Sequence, residues 1–281
     1  MKLGLFGIGS GLCADPDIAR RVAQVAEHQG IESLWTGEHV VLPDPQRPPS
    51  PVPPEFPMLH PSAILSFLAA CTDRIKLATG IVLIAQRNAL VLAKEMASLD
   101  VLCDGRLILG IGAGYLEAEF SALGIPFEQR GARADESIEV MRAIWNETDP
   151  EYHGRFYSFS GIQAFPRPIQ PGGPALVVGG TSTAALRRAV RSAQGWYGFA
   201  LDVDQTAACV KQLKQLSDNL PASTRRAALE ISITPVLPMT EANIADYQSA
   251  GVDRLIPLMP QDSEQHMLDF IENLVEISQR V

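Results

Sequence analysis

The sequence predicts a (β/α)8 TIM barrel with a proline-rich loop after strand 2 and an insertion before strand 5. Three observations lead there. Short apolar runs alternate eight times with helical stretches, no linker divides the chain, and its 281 residues are close to the ~250 such a barrel takes. An open doubly wound sheet is the competing solution, but it needs two halves. Residues 1–281 therefore read as one domain.

Residues 2–8 form the first buried strand. Asp15–Pro16 supplies an N-cap followed by proline at the first helical position, Ile18, Val22 and Val25 recur at helical spacing, and Gly30 stops the helix. "SLWTG" (33–37) is the second strand and 61–72 its helix. "IKLATGIVLI" (75–84) is the third, followed by an apolar helix over 88–103. "LILGIGAG" (107–114) is the fourth, with helix in 116–123 and 131–147. Strands five to eight are 175–180, 196–200, 229–236 and 252–259, with helices at 183–193, 203–218, 241–249 and 263–279. Proline excludes residues 43–61 from helix or central strand. Following strand 2, they belong at the C-terminal mouth of the barrel, as a rigid loop or a pocket wall. Residues 151–174, with alternating aromatics, read as a small strand-rich insertion.

Composition removes several function classes. A net charge of −9 with 46% hydrophobic and 20% charged residues gives no reason to expect nucleic acid or an anionic membrane as partner. Four scattered cysteines without a C-x-x-C pair read as reduced thiols, and no apolar run nears the ~20 residues of a membrane span. A cytoplasmic protein acting on a small molecule is the expectation. Neither H-x-H nor H-E-x-x-H is present, so no metal site is expected.

The run Gly110, Gly112, Gly114 imitates a dinucleotide fingerprint. That motif, however, is G-x-G-x-x-G opening the helix of a first βαβ unit, whereas here the spacing is G-x-G-x-G in the fourth unit. A similar run at Gly7, Gly9 and Gly11 follows strand one. Two such exits suggest a mouth where backbone approaches a flat ligand, or turns that need positive φ. "VVGGTSTAALRRAV" (177–190) ends a strand in Gly179–Gly180 and starts a helix at Thr181, Ser182 and Thr183. Free N–H groups and the positive helix end make it an anion site suited to phosphate, with an ordinary N-cap as the alternative. Glu38–His39 stands at the end of strand 2, where a histidine can exchange protons near pH 7.

"SLWTGEHVVLP", the run from "IKLATGIVLI" to "VMRAIW", "VVGGTSTAALRRAV" and "GWYGFA" together resemble the bacterial luciferase-like monooxygenase superfamily, especially its F420-dependent oxidoreductase branch. The resemblance implies a flavin or 5-deazaflavin at the barrel mouth, with His39 exchanging a proton and Glu38 orienting or tuning it. Thr79, Gly80, Ile81, Gly112, Gly114, Gly179, Gly180 and Thr181 would line the cofactor site, the last three holding phosphate. It further implies coenzyme F420 passing a hydride to or from a small organic substrate. The alternatives are an FMN-dependent monooxygenase using O2 or a catalytically inactive cofactor-binding barrel. A homodimer using helices 61–72 or 88–103 is expected, as is a cis peptide at Gly80–Ile81 behind the cofactor ring. Tyr115 stands where some relatives carry a glutamate.

Overall fold

A computed structural model describes every residue except 222 and 224–226. In chain order the strands are β1 (Lys2–Phe6), β2 (Ser33–Thr36), β3 (Lys76–Leu83), β4 (Leu107–Gly112), β5 (Tyr152–His153), β6 (Ser158–Phe159), β7 (Ala175–Gly179), β8 (Gly195–Leu201), β9 (Glu230–Pro235) and β10 (Arg254–Leu255). Strands β5 and β6 pair only with each other, as an antiparallel hairpin inside the insertion. The other strands are parallel and close in the order β1-β2-β3-β4-β7-β8-β9-β10. The helices are α1 (Pro16–His28), α2 (Pro61–Ala69), α3 (Ala89–Leu102), α4 (Glu117–Ala122), α5 (Arg130–Asn146), α6 (Thr183–Ser192), α7 (Val203–Asp218), α8 (Glu241–Ser249) and α9 (Glu264–Ser278). The α1 cap forms as expected, with Asp15 accepting from the N–H groups of Asp17 and Ile18. The eighth strand is shorter than the apolar run suggests. Pro257 has no N–H to give the ladder, although its carbonyl still accepts from Phe6.

The barrel is sealed at the N-terminal ends of its strands by charge. Arg254, almost fully buried, donates Nε and Nη2 to the two oxygens of Glu32 at 2.9 and 3.0 Å, and Nη1 to Glu230 and to Ser232 Oγ. Lys76 adds a second cation to Glu32 at 2.9 Å, and Lys2 pairs with Glu230. Above the guanidinium lies the Trp35 ring, its centroid 5.6 Å away. Trp35 stacks on Tyr197 at 5.4 Å, and the Tyr197 hydroxyl donates to Thr234 Oγ1, which donates onward to the Ile256 carbonyl. Ala78, Ile108, Val177 and Ile256 fill the same interior, with Phe6 and Ile81 packed against them.

The floor of the mouth depends on a bulge in β3. Thr79 pairs with Leu109 and Val82 with Ile111, so three steps along β3 match two along β4. The displaced carbonyls of Thr79 and Gly80 occupy the space a Cβ at Gly110 would need. This one-residue excess makes the bend expected from a cis bond. The Gly80–Ile81 peptide is trans, and the cis peptides among the described residues all precede proline. With that expectation goes the argument that a strained peptide marks a cofactor against β3. Thr79 and Gly80 belong to the wall: Thr79 is buried and donates Oγ1 to the Gly110 carbonyl at 2.8 Å, and a Cβ at Gly80 would lie 2.6 Å from the Phe6 ring. Only Ile81 reaches the floor. Its side chain fills the space beside both Gly112 and Gly179, where added Cβ atoms would overlap it.

Two outcomes follow. Neither Gly179 nor Gly112 has positive φ, so alanine there tests overlap alone. Gly179→Ala should lower stability by about 1–3 kcal/mol, the scale of overpacking, and an Ile81→Ala background should abolish most of that loss in urea unfolding. The Glu32 carboxyl is held down to about 2: burial pushes it up, but the hydrogen bonds and charge of Arg254, with Lys76, outweigh burial. Because its folded value lies below the usual 4.5, its stabilisation is whole above that pH and drains away as pH falls toward 2. Glu32→Gln should therefore show a shallower fall of the urea midpoint across that window than the native chain.

Candidate active site

The side chains with proton chemistry gather where β2, β3 and β4 leave the barrel. His39 follows β2, and its ring lies between two groups from the β4 exit. Nδ1 is 3.2 Å from Glu119 Oε2 and Nε2 is 3.2 Å from the Tyr115 hydroxyl. Only 7% of the His39 side chain is exposed, yet its polar partners are not those of a core histidine. The imidazole meets the Tyr115 ring edge-on at 5.7 Å.

Glu119 organises this corner. Its buried carboxylate accepts from the Val40 N–H, from the Val41 N–H at 3.4 Å, and from Gln86 Nε2 at 3.0 Å, besides facing His39. Burial pushes its pKa up, but the bonds from His39, Gln86 and Val40 together hold it below the ordinary carboxylate value. An ionised Glu119 only accepts, so Nδ1 of His39 carries the proton and Nε2 presents its lone pair to Tyr115. Local chain geometry explains the placement. Gly114, with φ of +88°, turns the chain between β4 and α4. Tyr115 and Glu119 then follow four residues apart, one at the loop end and one on the first turns of α4.

Glu38 does something other than expected. It is buried and does not touch His39. Its Oε2 accepts from the Leu83 N–H at 2.7 Å, and its Oε1 pairs with Arg87 and lies 3.6 Å from His60 Nε2. Successive side chains leaving a strand point to opposite sides, so neighbours in sequence part company here. Glu38 ties the exit of β2 to the exit of β3; orientation of His39 falls to Glu119.

The glycine-rich exits also divide. Gly112 and Gly179 make room for Ile81, and Gly114 makes room for Phe120, whose ring would be 2.6 Å from an added Cβ. A ligand over β4 and β7 would therefore meet Ile81 rather than bare backbone. The N–H of Gly180 does not face outward: it donates to the Tyr197 carbonyl at 3.2 Å. The N–H of Thr181 has no protein acceptor among the described residues and is exposed at the start of α6, where Ser182 caps Ala185. Anion binding thus loses one of its expected donors and keeps the other.

The last residues of the proline-rich loop reach the mouth. Pro57 accepts from the Gly11 N–H and Leu59 donates to the Gly9 carbonyl, which lays 57–59 along the β1 exit. Apolar side chains stand open around the rim, among them Phe199 near the end of β8, Val236 after β9 and Leu258 after β10. Two buried acceptors in this region, Gln86 Oε1 and Ser10 Oγ, have no protein partner. Among the described residues, no three His, Cys, Asp or Glu side chains converge as metal ligands would. Sequence reasoning missed Glu119 and Gln86. The spacing of Tyr115 and Glu119 just past β4 was the signal available for the first.

Comparison with known proteins agrees with this architecture. An uncharacterized protein of Mycobacterium tuberculosis is 30% identical over 260 residues, covering 90% of each chain. An FMNH(2)-dependent dimethylsulfone monooxygenase of Pseudomonas putida is 30% identical over 190 residues, 65% of this chain and 48% of that protein. A solved F420-dependent secondary alcohol dehydrogenase, in complex with an F420-acetone adduct, superposes with a TM-score of 0.81 over 98% of both chains at 14% identity, a likeness of fold. Residues 6–274 match the model of the luciferase-like monooxygenases, and the chain belongs to that family.

Proposed function

We propose that this protein is an F420-dependent oxidoreductase that moves a hydride between the deazaflavin and a small organic substrate at the barrel mouth. The observation that carries the reading is the His39 ring held between an ionised Glu119 and Tyr115. Hydride transfer to or from a carbon bearing oxygen needs a partner for the accompanying proton, and His39 can be that partner through Nε2. Glu119 fixes the tautomer and would stabilise the imidazolium formed.

The residues present fit such a cofactor. Ile81, Phe6 and Phe199 offer an apolar floor for a flat ring system. Gln86 Oε1, buried without a protein partner, fits a ligand that donates an N–H, as the imide of a flavin or deazaflavin does. The free N–H of Thr181 at the α6 start suits a phosphate oxygen. The bound cofactor supplies the hydride chemistry; the protein supplies placement and the proton.

A second reading, reduced FMN with O2, is favoured by the identity to the dimethylsulfone monooxygenase. Homodimerisation belongs to the proposal too: α3 leaves Val91, Val101 and Leu102 exposed, a face a second copy would cover.

Titrating the purified protein with F420 and FMN, followed by fluorescence quenching, should give tighter binding of F420; preferential binding of FMN would replace the cofactor assignment. His39→Ala should lower turnover at least ~10²-fold with cofactor affinity retained. Because burial is outweighed by the bonds from His39, Gln86 and Val40, which hold Glu119 below its usual range, activity loss from its protonation should set in at lower pH than for an ordinary glutamate. Gln86→Ala should move that loss to higher pH in a pH–rate profile.

A further inference from the structure

We propose that Tyr115, not His39, is the group that meets the substrate, with His39 and Glu119 acting behind it as a proton relay. The inference rests on the oxidoreductase reading above and names its substrate-facing residue.

Access decides the point. Both nitrogens of His39 are engaged, Nδ1 by Glu119 and Nε2 by the Tyr115 hydroxyl at 3.2 Å, and the side chain is nearly closed to solvent. A substrate could reach Nε2 only by displacing the phenol. Tyr115 is instead 48% exposed and is the open end of the chain Glu119–His39–Tyr115. The Gly114 turn, which has no room for a side chain beside Phe120, sets the tyrosine out from β4 while α4 returns Glu119 beneath His39. One short segment thus supplies both ends of the relay, and the loop after β2 supplies its middle. Burial and the nearby charge of Glu119 push the phenol pKa up, so Tyr115 stays protonated at neutral pH, as a donor must.

For a substrate alcohol the balance is simple. Its hydroxyl proton passes to the Tyr115 oxygen as the phenolic proton passes to His39 Nε2, giving an imidazolium beside the Glu119 carboxylate. The C–H bond would break, the carbon–oxygen bond would become a carbonyl, and a deazaflavin held at the mouth would accept the hydride with its two electrons. In the reverse direction Tyr115 protonates the oxygen of a ketone or aldehyde. The chemistry selects substrates whose reacting carbon carries an oxygen.

Tyr115→Phe removes the hydroxyl alone from a half-exposed position. With secondary alcohols as probes, kcat should fall about 10²-fold while KM and the affinity for F420 change less than about threefold. Independently of turnover, in the cofactor-free protein the 15N resonance of His39 Nε2 should move toward that of a free, unprotonated imidazole nitrogen in the variant. Unchanged kcat in Tyr115→Phe, with His39→Ala inactive, overturns the proposal and leaves His39 to meet substrate itself. An unmoved Nε2 resonance also overturns it, because the relay bond would be missing. Full activity in both variants sinks the oxidoreductase reading of this corner along with it. Absence of any F420 binding by the native protein defeats the cofactor assignment, and the resonance alone then decides whether the relay exists.

Discussion

Several loops of this barrel are held by one kind of bond: a charged side chain fixed on one element grips the main chain of a segment it does not belong to. Glu27 on α1 accepts from the N–H groups of Asp73, Arg74 and Ile75 before β3. Glu136 on α5 accepts from Arg155, Phe156 and Tyr157 in the insertion. Arg106 works with the opposite sign, donating to the carbonyls of Ala69, Thr72, Ile75 and Cys103. Parallel strands need long crossovers, whose ends carry main-chain groups that the sheet cannot satisfy. A carboxylate or guanidinium can satisfy several at once, with bonds strengthened by its charge.

The candidate site is built from the same device. Glu119 and Glu38 each grip the main chain at a strand exit, Glu119 at β2 and Glu38 at β3, and each has bonding capacity left over. Glu38 spends it on Arg87, a structural pairing. Glu119 spends it on His39, and there a loop anchor becomes a group that sets a tautomer. The hydrogen-bond network at this corner is thus an extension of the scaffold's own means of holding itself together.

That origin explains what could be read in the sequence. Strands and helices announced themselves through apolar periodicity, and the β2 exit announced His39, because a barrel's mouth follows from strand order alone. Pairings across the mouth did not. Glu119 sits in "YLEAEF" beside a second acid, Glu117, and looks like the solvated face of a short helix; only the closed barrel brings it under a residue 80 positions away. The glycines misled for a related reason. A glycine reports that space is needed, and the sequence cannot say by what. At Gly110 the claimant is a displaced carbonyl of β3, and at Gly112 and Gly179 it is Ile81. A cis peptide at Gly80–Ile81 was expected in β3 from the resemblance, but an extra residue displaces the strand there with every peptide of that strand trans.

Main-chain anchoring also bears on how such a barrel can diversify. The N–H groups that Glu27, Glu119 and Glu136 hold belong to every amino acid but proline, so the anchored loop residues are constrained in position and hardly in kind. Val40 and Val41, both exposed, could be exchanged for other side chains without untying the loop that carries them. A lineage built this way can rewrite the lining of its mouth while the helices that clamp it stay the same, and new substrates become reachable without a new fold.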